Sequence, residues 1–272
     1  MKKIKAILSD FDGTLVDKNE QYQPGVKTLI KKIQSKNVKF SLATGRAYYS
    51  SSLKRIEEEL KIKGVHIFHG GGMILNSQTN KILWEQTISN KSAKLIIKYF
   101  LDKKLMFSLE AKKYVYLSHY QRKFIFYQNI PIKTIGELKE TDEIYKIVLF
   151  ARDNKLNESE LNLHLDNLKK NCSDISAIEF EFSNLFGADI TSEKATKHTA
   201  VLEYLKILNL SPDEVVAIGD GPNDYPLLTA CGFGIAMAAA PKELKEIADL
   251  VVPSAVDGGM IEALEYIYNN LI

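Results

Sequence analysis

Residues 4–14 read IKAILSDFDGT. Ile4, Ala6, Ile7 and Leu8 form a short apolar run, the pattern of a strand buried on both faces of a parallel sheet. Asp10 therefore stands where a strand ends. In open α/β sheets the ligand crevice lies outside the carboxyl ends of the strands, so carboxylates delivered there are placed for chemistry. Residues i and i+2 of an extended segment project to the same side, so Asp10 and Asp12 can face one substrate or one cation. Taken alone, the stretch also fits an ordinary strand-to-loop turn in which Asp and Gly13 supply only backbone geometry.

Outward from this stretch the arrangement repeats. Val26, Leu29, Ile30 and Ile33, behind Pro24 and Gly25, have the spacing of an amphipathic helix. Val38 to Ala43 reads as a second strand ending at Thr44, Gly45 and Arg46, and Leu53, Ile56 and Leu60 mark the next helix. Val65 to Phe68 is another short strand. The His69, Gly70, Gly71 and Gly72 that follow suit either a close backbone approach to a ligand or a flexible bend. Further on, a helix with Val201, Leu202, Leu205 and Leu208 precedes a buried strand at Val215 to Ile218. Gly219, Asp220, Gly221, Pro222, Asn223 and Asp224 close that strand. Strands at Gly234 to Met237 and Leu250 to Val252 and a terminal helix complete the pattern.

Between these stretches the pattern changes. A helix with Ala93, Ile96, Ile97 and Phe100 precedes a hairpin of Leu105 to Leu109 and Tyr114 to Leu117. A strand at Ile144 to Phe150, a helix with Leu161, Leu165 and Leu168, and a strand at Ile178 to Phe182 follow. The fold class is therefore α/β: a Rossmann-like parallel-sheet core of residues 1–82 and 188–272, with an inserted α+β unit of residues 83–187.

Composition narrows the function classes. The chain has 272 residues, 45% of them apolar and 26% charged, which are ordinary globular values. Lys plus Arg number 36 against 34 Asp plus Glu, net +2, which argues against a nucleic-acid binder and leaves room for a local positive pocket. The two cysteines, Cys172 and Cys231, lack metal-ligand spacing and fit a reducing compartment. The first apolar stretch is too short for a signal peptide, and none is long enough to span a bilayer. The expectation is a cytoplasmic protein without membrane partners, monomeric or a small homo-oligomer.

Four polar clusters thus stand in order: Asp10 with Asp12, Thr44, Lys197, and Asp220 with Asn223 and Asp224. In this order DFDGT, TGR, an isolated lysine and GDGPND resemble the four motifs of the haloacid dehalogenase superfamily. The long insertion between the second and third motifs is similar to that of the Cof-type (subfamily IIB) phosphatases, which carry a C2-type cap there. The resemblance implies a Mg²⁺-dependent phosphatase acting on a small phosphorylated metabolite, a sugar phosphate or phosphorylated cofactor.

The residues suit that chemistry. A phosphate monoester is a dianion that repels nucleophiles, so its charge must be neutralised first. A hard cation such as Mg²⁺ prefers carboxylates together with substrate oxygens and water, which Asp10 and Asp220 can offer. The backbone carbonyl of Asp12 is the further ligand that the resemblance implies. Asp10 would attack phosphorus to give an aspartyl-phosphate. Asp12 would protonate the leaving oxygen and later deprotonate the attacking water. Thr44, through its hydroxyl and backbone N–H, would hold non-transferring phosphoryl oxygens together with Gly45, Lys197 and Asn223. Asp224 would orient Lys197 or metal-bound water, with direct ligation as a second option.

Alternatives attach to single residues. Lys194 competes with Lys197, which is preferred because it stands immediately before a helix. His69 and Gly70 occupy the place of the family's usual Asn-Gly pair, and His198 that of a glycine after the motif lysine. Phe107, Tyr114, Tyr116, Tyr120, Phe124, Phe126 and Tyr127 read as cap core with some at the entrance, and Lys112, Lys113, Arg122 and Lys123 as solvated. At the level of function, a phosphomutase of the same architecture and a non-catalytic phospho-ligand-binding regulatory module are the other two readings.

Overall fold

A computed structural model describes residues 3–119, 130–182 and 185–272, so Tyr120, Arg122, Lys123, Phe124, Phe126 and Tyr127 lie outside the described residues. In chain order the first elements are β1 (Ala6–Ser9), α1 (Val26–Gln34), β2 (Lys39–Leu42), α2 (Ser51–Leu60), β3 (Val65–Phe68), β4 (Met73–Asn76) and β5 (Lys81–Glu85). The middle stretch holds α3 (Asn90–Asp102), β6 (Phe107–Ala111), β7 (Val115–Leu117), β8 (Ile132–Thr134), β9 (Ile144–Phe150), α4 (Glu158–Asn171), β10 (Ile175–Phe182) and β11 (Leu185–Ser192). Then come α5 (Lys197–Leu208), β12 (Val215–Gly219), α6 (Tyr225–Thr229), β13 (Phe233–Met237), α7 (Lys242–Ile247), β14 (Leu250–Val252) and α8 (Gly259–Asn270).

The chain divides into two compact units. Residues up to Tyr48, Ser52–Glu85 and Thr196–Ile272 form the first, and Tyr49–Ser51 with Gln86–Ala195 the second. These limits differ from the 82/83 and 187/188 read from sequence, for a physical reason. β5 pairs with β4 through Glu85, and β11 runs unbroken through Thr191 against both β9 and β10. Cutting either strand would strand backbone donors and acceptors.

In the first unit a five-stranded sheet has the order β14-β13-β12-β1-β2, parallel throughout, with Ala6 opposite both Val215 and Lys39. Buried residues of β1 and β12 pack with Ala200, Val201, Tyr204 and Leu205 of α5. Each such Val or Leu side chain contributes about 1.5–3 kcal/mol on full burial. Leu202 falls off that face and is 40% exposed, and Ala200 and Tyr204 complete the stripe instead. Because β1 lies between β2 and β12, the connections leave it in opposite directions. Such a reversal opens a crevice at the carboxyl ends of β1 and β12.

β3 is not a further member of that sheet. It forms an antiparallel sheet with β4 and β5, joined to the parallel one by a single bridge between Ala43 and Ile67. The edge of β2 is met instead by a side chain, since the Leu42 N–H donates to His66 Nδ1 at 2.9 Å. A ring that accepts at Nδ1 carries its proton at Nε2, and Nε2 lies 3.0 Å from Glu57 Oε1 in the buried core.

The turn from β3 to β4 explains the glycines. His69, Gly70 and Gly71 all have positive φ (54°, 67° and 111°). A Cβ on Gly71 would lie 2.2 Å from the Thr196 carbonyl oxygen, so the close approach is to the residue that precedes α5.

The second unit is a six-stranded sheet of order β10-β11-β9-β6-β7-β8, antiparallel except for β7 with β8. Ile96 and Phe100 of α3 and Leu161, Leu165 and Leu168 of α4 pack against Leu109, Ile147, Leu149 and Ile190. Phe107 and Tyr116 belong to this core, and Tyr114 is only partly buried against it. Lys112 and Lys113 are exposed. Among the described residues no helix is long and apolar enough to cross a membrane.

Candidate active site

Three strand ends and one helix start meet in the first unit. Asp10 follows β1, and its N–H donates to the Ile218 carbonyl at 2.9 Å, which holds the end of β1 against β12. Asp220 follows β12, Thr44 follows β2, and Lys197 is the first residue of α5. The helix start is set by Thr196, whose side chain accepts from the Thr199 N–H at 3.1 Å. Such a cap satisfies one of the otherwise orphaned first-turn donors.

Lys197 is buried and donates to Asp10 Oδ1 at 2.6 Å and to Asp224 Oδ1 at 2.5 Å. Lys194 is exposed, so the structure brings Lys197 and not its competitor to the carboxylates. Asp224 is fully buried, and its second oxygen accepts from the N–H groups of Asp220 and Gly221, each at 3.0 Å. It thereby ties the turn after β12 to the lysine. Asn223 is exposed at the same turn, and His198 points outward from the first turn of α5 with its Cβ on helical backbone.

Asp220 is fixed from the opposite side. The Thr14 hydroxyl donates to its Oδ1 at 2.6 Å. Gly13 has φ +75°, and a Cβ there would lie 2.2 Å from Asp220 Oδ2, so only glycine lets the carboxylate settle on this turn. Asp10, Asp220 and Asp224 each present an oxygen, and the three oxygens lie within 4.8 Å of one another.

Three carboxylates around one ammonium leave excess negative charge in a partly dehydrated place. Burial pushes the Asp10 carboxyl well above the ordinary range, the Lys197 ammonium opposes that rise, and the Asp224 and Asp220 carboxylates add to it. Asp220 is pushed up to about 6, chiefly by burial, with the Thr14 hydrogen bond opposing. For Lys197, burial works to lower the value, but Asp10 and Asp224 outweigh it and the ammonium holds its proton more tightly than an ordinary lysine. An all-oxygen donor set with surplus negative charge fits a hard divalent cation.

Thr44 is buried, but its N–H donates to the Ile67 carbonyl at 3.0 Å, so that donor does not face a ligand as expected. Its Oγ1 accepts from the Arg46 N–H at 3.1 Å, which leaves the hydroxyl proton as the group that Thr44 can offer. Gly45 has open space where a Cβ would stand. His69 is buried, its N–H donates to the Arg46 carbonyl at 3.0 Å, and the Gly70 N–H donates to the Thr44 carbonyl at 2.9 Å. These bonds fasten the β3–β4 turn beneath Thr44.

Asp12 is partly exposed and stands apart from the lysine. Arg46 holds both its oxygens, Nε to Oδ2 at 2.8 Å and Nη2 to Oδ1 at 2.6 Å. Neither this contact nor that of Thr14 with Asp220 is anticipated by the sequence reading. Arg46 was visible in it only as the third letter of TGR.

Residues 7–264 match the family of haloacid dehalogenase-like hydrolases. The chain belongs to that family. By class it is a hydrolase. A phosphoglycolate phosphatase of Methanosarcina acetivorans is 26% identical to it over 275 residues, covering 98% of each chain. A haloacid dehalogenase-like hydrolase from Bacteroides thetaiotaomicron shares the fold with TM-score 0.84 at 20% identity, over 97% of this chain and 100% of the other. A subclass IIB sugar phosphatase superposes with TM-score 0.78 at 20% identity, over 97% of this chain and 98% of the other.

Proposed function

We propose that this hydrolase is a Cof-type, Mg²⁺-dependent phosphatase that releases phosphate from a small phosphorylated metabolite, of the sugar-phosphate or phosphorylated-cofactor class. The observation that carries the proposal is the buried Asp10–Lys197–Asp224 constellation beside Asp220, on the carboxyl ends of β1 and β12. Phosphatase and sugar-phosphatase relatives over almost the full chain support the substrate class. Residues 86–195 serve as the cap that selects the substrate. The two free cysteines agree with a reducing, cytoplasmic setting.

Asp10, Asp220 and the Asp12 carbonyl would hold Mg²⁺, which when bound neutralises charge on the phosphoryl oxygens. Asp10 attacks phosphorus, and the ester oxygen leaves with a proton from Asp12. Water deprotonated by Asp12 then hydrolyses the aspartyl-phosphate. The Lys197 ammonium, the Thr44 hydroxyl, Gly45 and Asn223 bind the equatorial oxygens, whose charge grows during transfer. Asp224 keeps Lys197 aimed.

The test is phosphate release from sugar phosphates, phosphoglycolate, nucleotides, pyridoxal phosphate, flavin mononucleotide and p-nitrophenyl phosphate, with Mg²⁺ and with chelator. Chelator-sensitive release is expected on one or a few of them. An isomerised sugar phosphate without free phosphate would instead make the protein a mutase, and binding without turnover a regulatory module.

Metal binding has a second readout. Mg²⁺ at about a hundredfold excess over its Kd stabilises by about 2.7 kcal/mol, which for a chain of this size is a rise in Tm of roughly 5–10 °C. Protons compete for Asp220, whose carboxyl is pushed up to about 6, and for the raised Asp10 carboxyl, so the rise should shrink as the pH falls through about 6. A thermal-unfolding series with and without Mg²⁺ checks this. A shift independent of pH would place the cation away from Asp220.

A further inference from the structure

Arg46 has no part in the scheme above, yet four of its five N–H donors are committed. Besides the two bonds to Asp12, Nη1 donates to Glu20 Oε1 and to Ser52 Oγ, both at 2.6 Å. The guanidinium lies over the Phe11 ring, 4.9 Å from its centroid. So engaged, it is a fixture of the protein and not a free anion-binding group. A fork that grips both oxygens fixes the plane of a carboxylate, which a lysine's single ammonium cannot do.

Glu20 is itself placed with care. Its φ is +58°, a conformation uncommon for a residue with a side chain. The turn beneath is held by Asp17 Oδ1, which accepts from the N–H groups of Asn19 at 2.8 Å and Gln21 at 2.9 Å. Arg55 Nη2 also donates to the Glu20 carbonyl at 2.8 Å. A left-handed turn fastened on both sides thus delivers one carboxylate to the far face of the Arg46 guanidinium. Strained backbone retained at such a place is a pointer to function.

We infer that Glu20 and Arg46 form a positioning relay that aims the Asp12 carboxyl at the departing ester oxygen. The inference rests on the phosphatase reading. In the first half-reaction the Asp10 oxygen–phosphorus bond forms while the ester P–O bond breaks. The bonding pair stays on the ester oxygen, which takes the proton from Asp12. A sugar hydroxyl is a poor leaving group and needs that proton, whereas p-nitrophenolate departs without it. The relay is therefore required for alkyl esters and nearly dispensable for the aryl ester.

The test compares kcat/KM for glucose 6-phosphate, or the best alkyl phosphate of the panel, with that for p-nitrophenyl phosphate. kcat/KM reports steps only through phosphorylation of Asp10, so the later base role of Asp12 does not enter. General-acid catalysis is worth about 10²–10⁴-fold. Arg46→Lys, which keeps the charge and loses the fork, should lower the alkyl value by about 10²-fold and the aryl value at least tenfold less. Glu20→Gln removes the charge of a half-buried partner and keeps the turn, and should shift the same ratio in the same direction by a smaller factor. Equal losses on both esters, or no loss on the alkyl ester in either variant, would overturn the inference while the phosphatase reading stands. Failure of the wild type to release phosphate from either ester would overturn both.

Discussion

Asp10→Asn abolishes phosphate release while leaving the protein folded and, without metal, at least as stable as the wild type. The amide cannot attack phosphorus, and loss of a covalent nucleophile lowers kcat by at least about 10⁴-fold. The stability half follows from the buried carboxyl. Burial raises the folded-state value of Asp10 far above its unfolded one, with Lys197 opposing. A carboxyl raised in this way binds its proton more tightly in the native state, so folding loses stability as the pH climbs through the interval between the two values. Above its unfolded value the wild type bears that cost, and the neutral amide does not. Lys197 retains a second partner in the variant, Asp224, which lies 2.5 Å from it in the wild type. Thermal unfolding at pH 8 with chelator, beside a phosphate-release assay, tests both halves. Near-wild-type release would remove Asp10 as the nucleophile, and a large fall in Tm would recast it as a structural ion-pair member.

A site that is costly to the fold and required for the chemistry is the usual form of a stability–activity trade-off, and here its origin is visible. Three carboxylate oxygens lie within 4.8 Å of one another, and one ammonium pairs with two of them. A divalent cation relieves what remains, so metal binding and folding draw on the same surplus charge.

How far the sequence carried the reading depends on the range of each interaction. Asp10, Asp12, Thr44, Lys197 and Asp220 were legible because each sits at a strand end or helix start, where hydrophobic pattern and polar punctuation meet within a few residues. Arg46 with Asp12 spans 34 positions and Arg46 with Glu20 spans 26. Nothing local marks that pairing, because it depends on a left-handed turn at a residue that is not glycine. The Thr44 N–H was misassigned for a similar reason. Its partner, the Ile67 carbonyl, lies far along the chain, on a strand that meets the parallel sheet at one bridge. The glycines after His69 were ambiguous because the crowding atom, the Thr196 carbonyl oxygen, is far along the chain. Boundaries slipped where β11 continued, without a break, past the expected crossing at 187.

Lys197→Met is the second large effect, and it separates the roles of the lysine. Its ammonium is the only cation within hydrogen-bond reach of Asp10 and Asp224 among the described salt bridges. Removing one partner of a buried ion pair costs about 3–5 kcal/mol, because the remaining charge stays buried and uncompensated. Removing one preorganised donor to the transferring phosphoryl group costs about 10²–10³-fold in kcat. Both losses are expected, and pH tells them apart. The lysine's own contribution is complete below its unfolded value near 10.5, since its folded value is raised, and disappears only as the pH rises through that folded value. Between pH 6 and 9 the wild-type lysine therefore stays charged, and any change in the stability gap must come from the carboxylates. As the pH falls and Asp10 takes up its proton, the variant has less unpaired charge and the gap in Tm should narrow. Asp10→Asn placed on top of Lys197→Met should recover part of the lost Tm and none of the activity, a non-additive pair by contact. A Tm gap constant down to acid pH, or a double variant less stable than Lys197→Met alone, would mean that the lysine supports the fold through its buried methylenes and not through the charge it shares with Asp10.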